Sequence, residues 1–491
     1  MGLTLVAGVD SSTQSTKVEI RDADSGTLVS SGRAAHPPAK QVREGQSEAD
    51  PTTWWQALGA ALRQALLGAD SRDVAAVAVA GQQHGLVALD DRGEVIRPAK
   101  LWNDTESAPQ AQQLRQALGN EWWAEQVGSV PVASFTITKL VWMAAHEPAN
   151  FEQIARVLLP HDWLTYRLTG AFATDRGEAS GTGYWSPTTG AWTLDLLDDL
   201  LALPAGWEHR LPRVHGPCEP AGSIQGPAAA LTGLQPGTLV GPGTGDNMAA
   251  ALGAGLQPGD VALSLGTSGT VYSVTNRPTV DRSGQVAGFA DASGRFLPLV
   301  CTLNATLVTD LIAGWLGTDH AGLTALALQA AAGAAGTTLL PYLAGERTPD
   351  RPDATGVLAG LRTSTTSSDI ARAAHEGVVC GLLDGLDALR SAAVDTARGR
   401  LLLVGGGSRS EAYRRIIADL SGRPVTVPAG EEQVAAGACI QAAAVLSSVD
   451  PAEVAGAWAG APECIVEPEP VDRDMVRARY AALRDADLSV D

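Results

Sequence analysis

Residues 5–20 read Leu5-Val6-Ala7-Gly8-Val9-Asp10-Ser11-Ser12-Thr13-Gln14-Ser15-Thr16-Lys17-Val18-Glu19-Ile20. The stretch Leu5–Asp10 is an apolar run closed by one acid, the pattern of a short buried strand. Lys17–Ile20 alternates polar and apolar, as a second strand would. The turn between them is almost entirely hydroxyl-bearing, so it offers successive backbone N–H groups and hydroxyls to anionic oxygens. Asp10 beside such a turn would repel phosphate unless Mg²⁺ intervened, and Mg²⁺ prefers one or two carboxylates together with phosphates and water. An Asx-type turn residue ending a strand is the plainer account of Asp10, and both stand at this point.

The pattern returns in the second half of the chain. Val261–Leu265, a Gly266-Thr267-Ser268-Gly269 turn and Thr270–Val274 form a second predicted hairpin, and the echo suggests two similar domains, the second starting near residue 259. Between the hairpins, Asp50 and Pro51 open a helix on which Trp55, Leu58, Leu62 and Leu66 recur at helical spacing. Val74–Val79 reads as a strand, Leu86–Asp90 and Glu94–Arg97 as a hairpin, Thr238–Gly241 as a strand, and Met248–Gly255 as a tightly packed helix of small residues. Arg473–Leu483 reads as a terminal or surface helix. Strands alternating with helices predict a layered α/β architecture, and 491 residues allow two to four domains.

Composition excludes several function classes. With 35 Lys+Arg against 54 Asp+Glu the formal charge is −19, which opposes nucleic acid as a partner. Only four lysines occur, none within GxxxxGK[ST], so a Walker-type phosphate loop is absent. No run approaches ~18 apolar residues, which argues against a membrane span. Five scattered cysteines form no CxxC pair and no basic leader opens the chain, so the expected location is cytoplasmic.

Four further features could carry chemistry. Asp246 follows Gly243-Thr244-Gly245 at a predicted helix start; it is either a helix cap or a base in a loop that glycines open to a substrate. Gly405-Gly406-Gly407 follows the apolar strand Leu401–Val404, which suits either a tight strand–helix turn or backbone approach to an adenosine. His84, beside Gln83 in a glycine-flanked loop, either hydrogen-bonds sugar hydroxyls or stays solvated. Ten of the twelve tryptophans fall at or before Trp207. They serve core packing or, in part, a sugar-binding wall.

These pieces resemble, in order and spacing, the FGGY carbohydrate kinases of the actin-like ATPase superfamily, most closely the branch that phosphorylates xylulose. The segments that carry the resemblance are VDSSTQSTK (9–17), GQQHGLVALD (81–90), LWND (101–104), SFTITKLVW (134–142), GTGDNMAAALGAG (243–255), SLGTSGT (264–270), LPYLAGERTP (340–349), GVLAGL (356–361) and VGGGSRS (404–410). The resemblance implies two ribonuclease-H-like domains, residues 1–257 and 258–491, with an interdomain active-site cleft. It implies ATP and Mg²⁺ as cofactors, a small sugar, D-xylulose, as substrate, and transfer to its C5 hydroxyl; it leaves room for a homodimer.

Carried over residue by residue, Asp246 is the general base, and Asp10 holds Mg²⁺ directly or through water, with Asp246 a second metal-side carboxylate. Ser12 and Thr13 with Gly266 and Thr267 hold the β- and γ-phosphates, and Gly405 and Gly406 lie against the adenosine. Gln83, His84, Trp102, Asn103, Asp104 and Asn247 contact the sugar. The chain departs from the pattern at Gln83, where Met is usual, at His375, where an apolar residue is preferred, and at Glu431-Glu432-Gln433. Another pentulose, a hexulose or glycerol is the alternative acceptor. An actin-like ATPase chaperone or activator would need no sugar, and a nicotinamide dehydrogenase would rest on the glycine run alone.

Overall fold

Strand β1 (Leu5–Ser11) is buried along its whole length because it is an interior strand of a mixed sheet. The computed structural model describes residues 3–486. β1 pairs antiparallel with β2 (Ser15–Asp22), with Asp10 opposite Lys17 and Ser11 opposite Thr16. β2 continues antiparallel into β3 (Leu28–Ala35), while β1 pairs parallel with β4 (Val74–Gly81) on its other side. β4 is in turn parallel to β5 (Leu239–Val240), and the two-residue strand Gly222–Ser223 closes that edge in the antiparallel sense. Helix α1 (Pro51–Ala65) begins where Asp50 Oδ1 accepts from Thr52 N, and it buries Trp54, Leu58 and Leu62 in the core of this sheet. Trp163 meets Trp54 edge-on in the same core, and Trp123, Trp185 and Trp207 are fully buried, so much of the early tryptophan is packing.

The second sheet repeats the first. β6 (Val261–Leu265) pairs antiparallel with β7 (Gly269–Ser273), which pairs antiparallel with β8 (Phe296–Thr302). On its other side β6 is parallel to β9 (Leu401–Val404), β9 is parallel to β10 (Val425–Val427), and β10 is antiparallel to β11 (Cys464–Val466). Strand for strand, β11-β10-β9-β6-β7-β8 has the order and senses of 222–223, β5, β4, β1, β2, β3. The predicted echo of the hairpins is thus an echo of whole sheets.

The chain forms two compact units that are not contiguous in sequence. One comprises the chain through Gly255 with Asn276–Leu297 and Glu432–Ala459; the other comprises Leu256–Thr275, Pro298–Glu431 and the chain from Gly460. The helix Gln433–Ser447 belongs to the first unit because it packs on β1 with no room to spare. A Cβ on Gly8 would meet the carbonyl of Ala435 and would lie 2.7 Å from Cys439 Sγ. The same helix crosses helix α2 (Asp246–Gly253) backbone to backbone: side chains on Gly437 or Gly253 would collide with the carbonyls of Ala249 and Gln433. The small residues of Met248–Gly255 were expected to give such close packing, and within the helix, which ends at Gly253, they do.

The predicted hairpin at 86–97 is reduced. Val87–Leu89 pairs with Arg156–Leu158, and Val95 meets Leu89 in a single bridge. The terminal helix runs Arg473–Asp485 and buries Val476 and Tyr480. Among the described residues no single helix is long and apolar enough to cross a membrane; Gln433–Ser447 with Pro451–Trp458 passes only as a pair bent by 118°.

Candidate active site

In the first unit the β1–β2 hairpin carries Asp10 at its open end. The turn is tied by Ser12, whose N and Oγ both donate to Ser15 O, at 3.1 and 3.0 Å. Thr13 Oγ1 accepts from Trp102 Nε1 at 3.1 Å, and Ser12 and Thr13 remain partly exposed. Asp10 is 3% exposed; its Oδ2 lies 3.6 Å from Lys17 Nζ, and its Oδ1 is buried with no hydrogen-bond partner. Burial pushes the Asp10 carboxyl up to about 7, Lys17 pulls it down, and the charges of Asp246 and Glu432 raise it again. Lys17 is itself held at 2.5 Å by Glu432 Oε2, at the head of the helix Gln433–Ser447. The lysine count disposed of a Walker loop but hid this residue: one of the four lysines stands beside Asp10. Its position directly after the hydroxyl run was the available signal, whereas its partner Glu432 is 415 residues away.

Asp246 is the first residue of α2, and the capping position is Gly245, so the cap account of Asp246 does not hold. Its Oδ1 instead accepts from Asn247 N at 2.8 Å and Asn247 Nδ2 at 2.9 Å. Asn247 Nδ2 also donates to Gln83 Oε1 at 2.9 Å, which joins Gln83, Asn247 and Asp246 in one row. Burial raises the Asp246 carboxyl to about 6 against the pull of the Asn247 hydrogen bonds. The loop before it is gripped from behind: Gln441 Oε1 accepts from Gly243 N at 3.0 Å, and Gln441 Nε2 donates to Gly243 O at 2.8 Å. Thr244 Oγ1 donates to Asp175 Oδ2 at 2.7 Å. The glycines are required there, since a Cβ on Gly243 would lie 2.5 Å from His161 Nδ1 and one on Gly245 2.6 Å from Glu178 Oε1.

His84 sits at φ +66, in the left-handed region unusual for a residue with a Cβ. Its Nδ1–H donates to Gly181 O at 2.8 Å, and its ring packs on Phe135 and Phe289 at centroid distances of 4.9 and 5.7 Å. A proton on Nδ1 makes Nε2 the acceptor side of the neutral ring. Thr136 Oγ1 holds the His84 carbonyl at 3.0 Å.

The LWND loop divides. Trp102 is partly buried and bridges to Thr13, and Asn103 is exposed. Asp104 is not a sugar contact. It is fully buried, accepts from Ser47 N at 2.8 Å and lies 3.1 Å from Lys100 Nζ. Glu48 and Glu106 complete that cluster, and their carboxylates with Asp104 could enclose a cation; the Lys100 ammonium, 2.5 Å from Glu106 and 3.3 Å from Glu48, is that cation. A charge buried this deeply needs all of its partners, so Asp104 folds the loop and faces no ligand.

The second unit presents the matching hairpin. Gly266 and Thr267 are exposed at its tip. Their carbonyls accept from Thr306 N at 3.0 Å and from Ala305 N at 3.3 Å, which anchors the start of helix α3 (Thr306–Trp315) behind the tip. Gly405 follows β9 at φ +84 and lies so close to β6 that a Cβ would be 2.7 Å from Leu265 O. Gly407 is likewise pressed on Leu265, while Gly406 is exposed, with only Arg409 within 4 Å of a Cβ. Gly405 and Gly407 make the tight turn, and the backbone at Gly406 is left exposed.

Residues 5–253 match the N-terminal domain of the FGGY family of carbohydrate kinases, and residues 261–446 match its C-terminal domain. The chain belongs to the FGGY family of carbohydrate kinases. It is 48% identical over 484 residues to a xylulose kinase of Streptomyces rubiginosus, covering 98% of this chain and 96% of the relative. It is 35% identical over 388 residues to a xylulose kinase of Escherichia coli, covering 78% of each. Among solved structures, a xylulose kinase from Bifidobacterium adolescentis superposes with a TM-score of 0.84 at 41% identity, covering 98% of this chain and 99% of that one. As an FGGY kinase the chain is an ATP-dependent sugar kinase with the actin-like ATPase fold, which accounts for two sheets of one topology.

Proposed function

We propose that this FGGY kinase transfers the γ-phosphoryl group of ATP to the C5 hydroxyl of D-xylulose, giving D-xylulose 5-phosphate and ADP. The observation that carries the reading is the hydrogen-bonded row Gln83–Asn247–Asp246 beside His84, in a chain whose relatives are xylulose kinases. In this reading the sugar lies against His84, Asn247, Trp102 and Asn103, with its reacting hydroxyl directed at Asp246. The C5 oxygen forms the new bond to the γ-phosphorus, its proton passes to Asp246, and the bond from phosphorus to the β–γ bridging oxygen breaks with its electron pair leaving on ADP. Phosphoryl transfer has a loose transition state, so alignment and charge neutralisation supply most of the catalysis.

Ser12 and Thr13 of one hairpin and Gly266 and Thr267 of the other hold phosphate oxygens, and the open backbone at Gly406, with Gly405, lies against the adenosine. Asp10 fits a Mg²⁺ ligand, since its Oδ1 is a buried oxygen without a partner at the end of a hydroxyl-lined hairpin, with Asp246 the nearby second carboxylate. Bound there, Mg²⁺ would neutralise phosphate charge. Lys17 supplies a fixed positive charge at the same hairpin.

Coupled ADP release measured with D-xylulose, D-ribulose, D-fructose and glycerol tests the assignment. D-xylulose is expected to give the highest kcat/KM. A rate with D-xylulose no greater than the sugar-free background, alongside turnover of another acceptor, would refute it.

A further inference from the structure

Beneath the Asp246 loop lies a group of titratable side chains for which the reaction above has no use: His161, Asp162, Asp175 and Glu178, all buried. Three of them have structural partners. Asp175 caps the short helix Arg176–Ser180, accepting from Gly177 N at 2.9 Å and Glu178 N at 3.0 Å, and also accepts from Thr244. Asp162 accepts from Leu159 N at 2.9 Å, and His161 Nε2 lies 3.3 Å from Asp162 and 3.5 Å from Asp175. Glu178 differs. It is 1% exposed, its carboxyl lies against the Gln83 side chain, and the charges that act on it most are the carboxylates of Asp175, Asp162 and Asp246.

Its position explains what it does. Glu178 Oε1 and Gln83 Cγ press on the same spot of backbone, 2.6 and 2.8 Å from where a Cβ of Gly245 would stand. Gly245 is the residue before Asp246. The Gln83 amide is oriented by Asn247, whose Nδ2 must meet Oε1, so Gln83 Nε2 is turned away from Asn247 and toward the buried Glu178 carboxyl. Both polar ends of Gln83 are therefore directed at protein, and the amide acts as a strut.

We propose that Glu178 is a positioning residue for phosphoryl transfer, acting through Gln83 and Asn247 on the orientation of the Asp246 carboxylate. The inference rests on the proposed xylulose kinase reaction. It also gives Gln83 a role different from a polar sugar contact: its amide spans from the buried Glu178 to Asn247 and braces the floor of the site. Burial among Asp175, Asp162 and Asp246 favours the uncharged form of Glu178. An uncharged carboxylic acid packs against the Gln83 amide without adding a fourth negative charge to the cluster.

Steady-state kinetics of Glu178→Ala, Glu178→Gln, Gln83→Leu and the double variant Glu178→Ala/Gln83→Leu test this. Glu178→Ala and Gln83→Leu are each expected to lower kcat about fivefold or more while KM for ATP stays within about twofold. The double variant is expected to lose no more than the worse single one, because both changes break one chain of contacts. Glu178→Gln, of the same shape and uncharged, is expected to keep kcat within about threefold of the parent. A smaller loss in Gln83→Leu, losses that multiply in the double variant, or a Glu178→Gln enzyme as slow as Glu178→Ala would overturn the inference. If Glu178→Ala does not fold, Gln83→Leu and Glu178→Gln decide it by the same limits. A parent enzyme without xylulose-dependent turnover would overturn the proposed reaction and this inference with it, whereas an active parent with unaffected variants would overturn this inference alone.

Discussion

Asp246 and Asp10 are both carboxylates raised by burial; the first shift bears on catalysis and the second on stability. Asp246 must be ionised to accept a proton, and its carboxyl titrates at about 6, so below that pH the base is blocked. The expected pH profile of kcat/KM for D-xylulose therefore has an acid limb near pH 6; a limb near pH 4 would mean that the hydroxyl proton goes elsewhere. Asp246→Asn should lower kcat by roughly 10²–10⁴ with an unchanged circular dichroism spectrum. Asp10, raised to about 7, is a group whose folded pKa lies above its unfolded value of 3.8. The stability that its protonated form contributes is complete below about pH 4 and is lost as pH rises through 7. Asp10→Asn should therefore raise the melting temperature at pH 8, measured without nucleotide or metal, by a few degrees, and should abolish most activity with Mg-ATP present. A lower melting temperature would show that the ion pair with Lys17 outweighs desolvation of the carboxylate.

At the scale of elements, the site depends on two contacts that admit no side chain. Helix α2 meets the helix Gln433–Ser447 at Gly253 and Gly437, and this crossing fixes where α2 begins and thus where Asp246 stands. Gly437→Val would force the two backbones apart. Overpacking of this kind costs about 1–3 kcal/mol, so the variant should melt earlier and lose kcat more than KM for ATP, as thermal scans and kinetics would reveal. Both hairpins were legible in the sequence because period-2 alternation and a polar turn are local signals, and Asp246 was legible because three small residues precede it. The helix crossing was legible only by half: the small residues of 248–255 were evident, their partner near residue 437 was not. Asp104 was misread for the same reason. Its sequence context, LWND, is that of a binding loop; Lys100 and Glu106 are near in sequence, but only the fold packs them against it and brings Ser47 and Glu48 from more than fifty residues away. Gln441 and Glu178 had no local mark at all, and Glu432 stood out only as a departure from the family pattern, since each acts on a loop that is remote in sequence.

Over the whole molecule, one sheet topology is used twice, and the two copies have diverged in what they offer a nucleotide. The first hairpin carries the carboxylate and the lysine; the tip of the second carries Gly266 and Thr267, with no charged side chain between Leu265 and Thr270. Electrostatic attraction for ATP is therefore local, and it operates inside a chain of formal charge −19. Mg-ATP is still an anion, so the long-range field opposes its approach, and salt should relieve that opposition over a Debye length of about 8–10 Å. The contacts proposed at Lys17 and at the backbone amides would form at shorter range and be screened less. The expected outcome is that kcat/KM for ATP, at saturating D-xylulose and constant free Mg²⁺, holds or rises as KCl goes from ~20 to ~150 mM. A fall of about threefold or more would mean that a positive region steers the nucleotide after all, as it does for charged ligands drawn to a complementary cleft. Repeating the titration on Lys17→Met separates the two: its kcat/KM is lower at every salt concentration, but the slope against salt stays the same if the lysine acts only after contact.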